Sequence, residues 1–137
     1  DYDYILIDTN PSLGNLTINA LAACDSVIIP VSLELWSAVG LSDLLSSILK
    51  TRRRLNPRIQ VEGIVLTMHD KRLNVGNNVM ELLYREYASM LPIYKTLIPR
   101  RAKVSEANYY SQSIWAYAPG SAAAVAYTDL AKEVMAK

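Results

Sequence analysis

The sequence predicts an open, mainly parallel α/β sheet with helices on both faces. Three observations lead there. Short apolar runs alternate with helical repeats along 137 residues. Those runs are mostly continuous and rich in β-branched residues, which suits strands covered on both faces. Hydrophobic residues make up 51% of the chain and charged residues 20%, enough to bury a core.

The elements follow in order. Tyr4-Ile5-Leu6-Ile7 is the first strand-like run and ends at Asp8. After the Pro11-Ser12-Leu13-Gly14 turn, residues 15–24 read as a short helix, and Val27-Ile28-Ile29-Pro30-Val31 as a second strand. Leu41, Leu44, Leu45, Ile48 and Leu49 fall on one helical face. That helix should stop near Leu55-Asn56-Pro57, because proline disfavours helical geometry at the residue before it. Gly63-Ile64-Val65-Leu66-Thr67 predicts a third strand, and Val79, Leu82, Leu83 and Tyr87 a third helix. Tyr94-Lys95-Thr96-Leu97-Ile98 predicts a fourth strand, followed by a helical turn around Lys103–Tyr110. Ile114-Trp115-Ala116-Tyr117 reads as a last short strand, and Ala123, Ala126, Tyr127, Leu130, Ala131 and Val134 as a C-terminal helix. No repeat or linker interrupts this alternation, so residues 1–137 read as a single domain with right-handed crossovers.

Bulk properties exclude several classes. A net charge of +1 does not by itself argue for a nucleic-acid partner. The lone Cys24 forms no internal disulfide or multi-cysteine metal site; it is expected to be a buried, inert thiol, as fits a reducing cytoplasm. No apolar run approaches the ~18 residues that span a bilayer. A chain that opens with Asp1 inside a strand-like run reads as part of a longer one.

In open α/β sheets ligands bind beyond the carboxyl ends of the strands. Here those ends are Asp8 to Ser12, Ser32-Leu33-Glu34, Met68-His69-Asp70 and Pro99-Arg100-Arg101, which are expected to line one rim. Four apolar residues followed by Asp8 form a Walker B pattern, in which a strand end holds a carboxylate near Mg²⁺ through a coordinated water. The alternative reading of Asp8 alone is a turn or helix cap. None of the five glycines is followed by lysine, so the phosphate-binding P-loop is absent from these residues. The one histidine, His69, has no nucleophile elbow to serve and reads as a loop residue at a pocket rim.

At this point the residues resemble a family. Asp1-Tyr-Asp-Tyr-Ile-Leu-Ile-Asp8, Pro11-Ser-Leu-Gly14, Leu16-Thr-Ile-Asn-Ala-Leu21 and Asp25-Ser-Val-Ile-Ile-Pro-Val31 are similar to the second half of ParA/Soj-type partition ATPases. So are Glu62-Gly-Ile-Val-Leu-Thr-Met68, Thr96-Leu-Ile-Pro-Arg100, Val104-Ser-Glu-Ala107 and Asp129-Leu-Ala-Lys-Glu-Val134. The resemblance implies a P-loop NTPase-like sheet whose N-terminal P-loop part lies outside these residues. It implies ATP and Mg²⁺ as cofactors, an ATP-dependent homodimer, nonspecific DNA binding, a ParB-like centromere-binding partner and a cytoplasmic, nucleoid-associated protein that segregates plasmids or chromosomes. Asp8 would be the metal aspartate, acting on Mg²⁺ through water. Asn10, Pro11 and Ser12 would form the switch segment sensing the γ-phosphate. Met68, Pro99 and Arg100 would border the adenine. The chain departs from the common pattern at Asn10, Ser32 and Val39, where the family often has Pro, Gln and Glu, and at Ala118-Pro119-Gly120, which replaces Asp-Pro-Arg.

Two basic stretches stand out. Lys50, Arg52, Arg53, Arg54 and Arg58 are read first as the complement of a helix C-terminus. Arg100, Arg101 and Lys103 lie on the rim and are the candidate DNA contacts. The sequence lacks the basic amphipathic tail of MinD-type division-site regulators, so no membrane attachment is expected. That regulator class remains an alternative, as does a non-enzymatic receiver-like module with Asp8 as phosphoacceptor, although only Asp1 and Asp3 precede Asp8 as acids. These 137 residues alone are expected to hydrolyse no ATP, for want of the Walker A loop, and to self-associate through exposed strand edges.

Overall fold

The computed structural model describes residues 1–10, 12–34 and 39–136. Pro11, at the centre of the predicted switch segment, lies outside them. Among the described residues three strands form one parallel sheet in sequence order: β1 (Ser26–Ser32), β2 (Gln60–His69) and β3 (Ile93–Pro99). The helices are α1 (Asn15–Ala23), α2 (Val39–Arg54), α3 (Asn74–Tyr87), α4 (Ala102–Tyr109), α5 (Ile114–Tyr117) and α6 (Ala122–Met135).

The central strand explains the continuous apolar pattern. Successive strand side chains point to opposite faces. Ile64 and Leu66 join Leu21, Leu41, Ile48, Val79 and Leu83, drawn from α1, α2 and α3. Val65, between them, packs with Tyr94 and Ile98 beneath Ala126, Tyr127, Leu130 and Val134 of α6. Helices therefore cover both faces, as predicted. A smaller cluster of Ala107, Ile114, Ala123 and Ala124 ties α4 and α5 to the start of α6. Gly63 is required where β2 meets the entry to β3: a Cβ there would lie 2.9 Å from the Pro92 carbonyl oxygen and from the Tyr94 ring.

The end of α2 does more than stop at the predicted place. Asn56, almost fully buried, donates from Nδ2 to the carbonyls of Leu21 (3.1 Å) and Cys24 (2.7 Å). These bonds fix the last turn of α1 at the amino end of the sheet. α1 thus runs back from there, and its first turn lies toward the carboxyl ends of the strands.

Part of the free edge of β3 is capped by a side chain. Between the pairs Ile64↔Ile93 and Leu66↔Leu97, β2 advances two residues and β3 four, which places a bulge at Tyr94–Thr96. Glu133 of α6 accepts from the backbone N–H groups of Lys95 (2.7 Å) and Thr96 (3.0 Å). Partial burial pushes the Glu133 carboxyl up, but these bonds outweigh it and hold it below the ordinary glutamate range. A depressed folded value contributes stability that is present above about pH 4.3 and lost as pH falls through the lower folded value. Urea titrations between pH 6 and pH 3 are expected to show Glu133→Gln losing part of this acid-side dependence; an unchanged profile would rule out a role for the carboxylate.

Four expectations need correction. Tyr4–Ile7 is not a strand: residues 1–10 form no ladder, and Ile5 and Leu6 are 83% and 90% exposed. A strand satisfies its backbone only against a neighbour, and no described strand pairs with this segment. Ile114–Tyr117 forms α5 instead of a strand; Ser113 caps it, its hydroxyl accepting from the Ala116 N–H (3.1 Å). Leu49, placed by its spacing on the apolar face of α2, is 53% exposed at the flank of that helix. Cys24 is half-buried, with burial raising its thiol pKa, so it stays protonated as expected of an inert cysteine.

Candidate functional site

The carboxyl ends of the three strands are stitched into one rim. The Leu33 N–H donates to the Thr67 carbonyl and the Arg100 N–H to the His69 carbonyl, each at 2.9 Å. Across the end of β2, the Arg100 guanidinium reaches Glu34 at 3.4 Å, linking the chain after β1 to the chain after β3. The sequence-predicted residues Met68, Pro99 and Arg100 are thus brought together, with His69 nearly buried among them. Met68 adopts a left-handed backbone (φ 56°), costly for a side chain of this size, and half exposes its thioether. An exposed, flexible and polarizable thioether suits the face of an aromatic ring.

Just beyond β2, Arg72 clasps Asp70 through two hydrogen bonds, 3.0 Å from Nε and 2.8 Å from Nη2. The guanidinium, reinforced by the Arg72 backbone N–H, holds the Asp70 carboxyl far below the usual range. Asp70 therefore serves the turn into α3 and is a fixed anion at the rim.

The predicted switch segment is exposed at Asn10 and Ser12 but anchored from within. Thr17, in the first turn of α1 and 6% exposed, donates its hydroxyl to the carbonyl of Ser12 (2.7 Å), with that of Asn10 at 3.3 Å. Sequence pattern alone does not single out this residue. Its one local signal is a hydroxyl side chain in the first turn of a helix whose N-cap, Gly14, has no side chain to offer. Asp8 precedes this segment, exposed and outside the sheet, so the rim collects three of the four predicted strand ends.

The candidate DNA residues lie in the β3–α4 turn (Arg100, Arg101) and the first turn of α4 (Lys103). Arg101 folds back onto the Arg100 carbonyl (2.8 Å). Lys103 pairs with Glu106 at 2.8 Å and lies 5.4 Å from the Tyr117 ring centroid. Glu106 also accepts from the Tyr117 hydroxyl (2.8 Å). The carboxylate raises the Lys103 and Tyr117 pKa values, and its own is lowered by Lys103 first and Tyr117 second. Arg100 and Lys103 are therefore partly neutralised on the free surface. No group of three or more acidic, histidine or cysteine side chains among the described residues could hold a metal ion. No described helix is long and apolar enough to cross a membrane.

A parallel sheet covered on both faces defines an open α/β domain, and its solved structural neighbours are P-loop NTPase-like. Cobyrinic acid a,c-diamide synthase from Mycobacterium smegmatis superimposes with a TM-score of 0.70 at 28% identity, over 89% of this chain and 42% of that one. The same synthase with a bound ATP analog and magnesium gives a TM-score of 0.60 at 32% identity, over 66% of this chain and 36% of that one. Residues 1–61 match the AAA domain family called AAA_31. The sporulation initiation inhibitor protein Soj of Bacillus subtilis is 47% identical over 99% of this chain and 53% of its own length. The chromosome partitioning proteins ParA of Caulobacter vibrioides and Myxococcus xanthus are 37% and 39% identical, over 99% and 98% of this chain and 50% and 47% of their own. Over nearly its whole length the chain is homologous to these Soj and ParA partitioning proteins, and it spans about half the length of the curated relatives it matches.

Proposed function

We propose that these residues form the switch, base-binding and DNA-facing part of an ATP-hydrolysing partition protein that dimerises on ATP and binds DNA without sequence preference. The observation that carries the reading is the stitched rim, where Met68, Pro99 and Arg100 meet at the carboxyl ends of parallel strands. Rims of this kind receive nucleotides in open α/β sheets. The ATP analog and magnesium bound by the related synthase support it.

The donor set suits Mg²⁺ in a limited sense. This cation takes one or two protein carboxylates and completes its shell with water and phosphate oxygens. Asp8 is exposed and supplies a hard oxygen ligand; the phosphates would come with the nucleotide. When bound, Mg²⁺ neutralises charge developing on the phosphoryl oxygens. Asn10 and Ser12 would meet the terminal phosphate, and Met68, Pro99 and Arg100 the base. The homodimer, a ParB-like partner and a nucleoid location belong to the same proposal.

DNA contact is assigned to Arg101 and Lys103, assisted by Arg100. With ATP present, the full-length protein carrying Arg101→Ala and Lys103→Ala is expected to lose DNA retention. Its log–log salt dependence should flatten by about two, one for each cation withdrawn from a phosphate. Unchanged retention with an unchanged slope would place the DNA surface elsewhere.

A further inference from the structure

We propose that Thr17 is a positioning residue that ties the switch segment to α1, so that movement of the backbone at Asn10 and Ser12 is coupled to that helix. The inference rests on the reading of Asn10–Ser12 as the segment that meets the terminal phosphate. The geometry stands independently of it. A threonine hydroxyl has one proton to donate. It is directed at the Ser12 carbonyl at 2.7 Å, with the Asn10 carbonyl close by at 3.3 Å. The two acceptors flank Pro11, which as a proline has no N–H to donate. The donor is nearly buried, while both acceptor residues are exposed. An exposed segment is thus held at its backbone by a hydroxyl that water scarcely reaches, while Asn10 and Ser12 are exposed to solvent.

The far end of α1 is equally well held. Leu21 packs in the main core, and Asn56 grips the carbonyls of Leu21 and Cys24. α1 is therefore a rigid body fixed at the amino end of the sheet, with the segment attached at the other end. A shift of the segment toward a phosphate must stretch the Thr17 bonds or carry the first turn of α1 with it.

Two measurements on the full-length protein test this, using Thr17→Val, which keeps the shape and removes the donor, and Thr17→Ser, which keeps the donor. In the nucleotide-free protein, amide exchange over residues 9–16 is expected to accelerate about fivefold in Thr17→Val, the factor carried by one hydrogen bond, and to stay near wild type in Thr17→Ser. Exchange in β2 should be unchanged in both. In turnover assays, kcat is expected to fall about tenfold to a hundredfold in Thr17→Val, with KM within about twofold, because misplacement of the segment affects the reacting geometry more than ground-state binding. Thr17→Ser should restore kcat. Equal exchange in wild type and Thr17→Val would overturn the tether, as would a Thr17→Ser variant as impaired as Thr17→Val. Faster exchange throughout the sheet would mark a general stability role and also overturn it. If Thr17→Val does not fold, Thr17→Ala takes its place with the same expectations. A wild-type protein without ATP turnover would instead refute the functional reading, and the exchange measurement would still decide the tether.

Discussion

Asp8→Asn in the full-length protein is expected to lower ATP turnover by about a hundredfold to a thousandfold, the loss typical of removing one preorganised charge-stabilising group. Asparagine keeps the size of the side chain and its oxygen but gives up the charge that Mg²⁺ requires. Within these 137 residues Asp8 is exposed, so the substitution removes no buried contact among them, and the urea midpoint reports whether folding is touched. The decisive comparison is turnover against urea midpoint: kcat falls and the midpoint stays. Equal loss of both, or no loss of kcat, would remove Asp8 from the metal site. The same experiment has a control in the 137-residue chain, which has no glycine-lysine phosphate loop. It is expected to release no phosphate, and release that depends on Asp8 would refute the need for a phosphate loop from outside these residues.

Leu66→Ala is expected to cost about 2–5 kcal/mol, the range for emptying a fully buried leucine site. Leu66 is 0% exposed on the central strand, in the cluster that joins the sheet to α1, α2 and α3. Helices on this face and α6 on the other leave little room for the cavity to collapse. The contrast is Leu49→Ala. That leucine reads as core from its periodicity but is 53% exposed, and its loss should stay near the roughly half kcal/mol typical of surface changes. Urea unfolding of both variants would show the difference directly. Similar midpoints for the two would contradict the placement of the core.

Much of this fold is legible in the sequence because its signals are local. The β-branched runs give β1, β2 and β3, and the helical spacing of Leu41, Leu44, Leu45 and Ile48 gives α2. What escapes is non-local. Whether Tyr4–Ile7 becomes a strand depends on a neighbour, which no property of those residues supplies. Ile114–Tyr117 has strand-forming residues, yet the Ser113 cap outside that run favours helix. The rim residues Met68, Pro99 and Arg100 are legible because strand ends in a parallel sheet share one side. The Glu34–Arg100 contact is not, since 66 residues separate its partners. The Thr17 anchor is short-range but has no established sequence signature, and Asn56 is visible only as part of a helix stop.

The rim at Met68 and Pro99–Arg100 is the proposed seat of the base of ATP. Photolabelling the full-length protein with 8-azido-ATP and Mg²⁺, followed by peptide mapping, tests it most directly. Label is expected on the peptides containing Met68 to Asp70 or Pro99 to Arg101, suppressed by excess unmodified ATP. Label confined to other peptides, or label on these that ATP does not suppress, would contradict it.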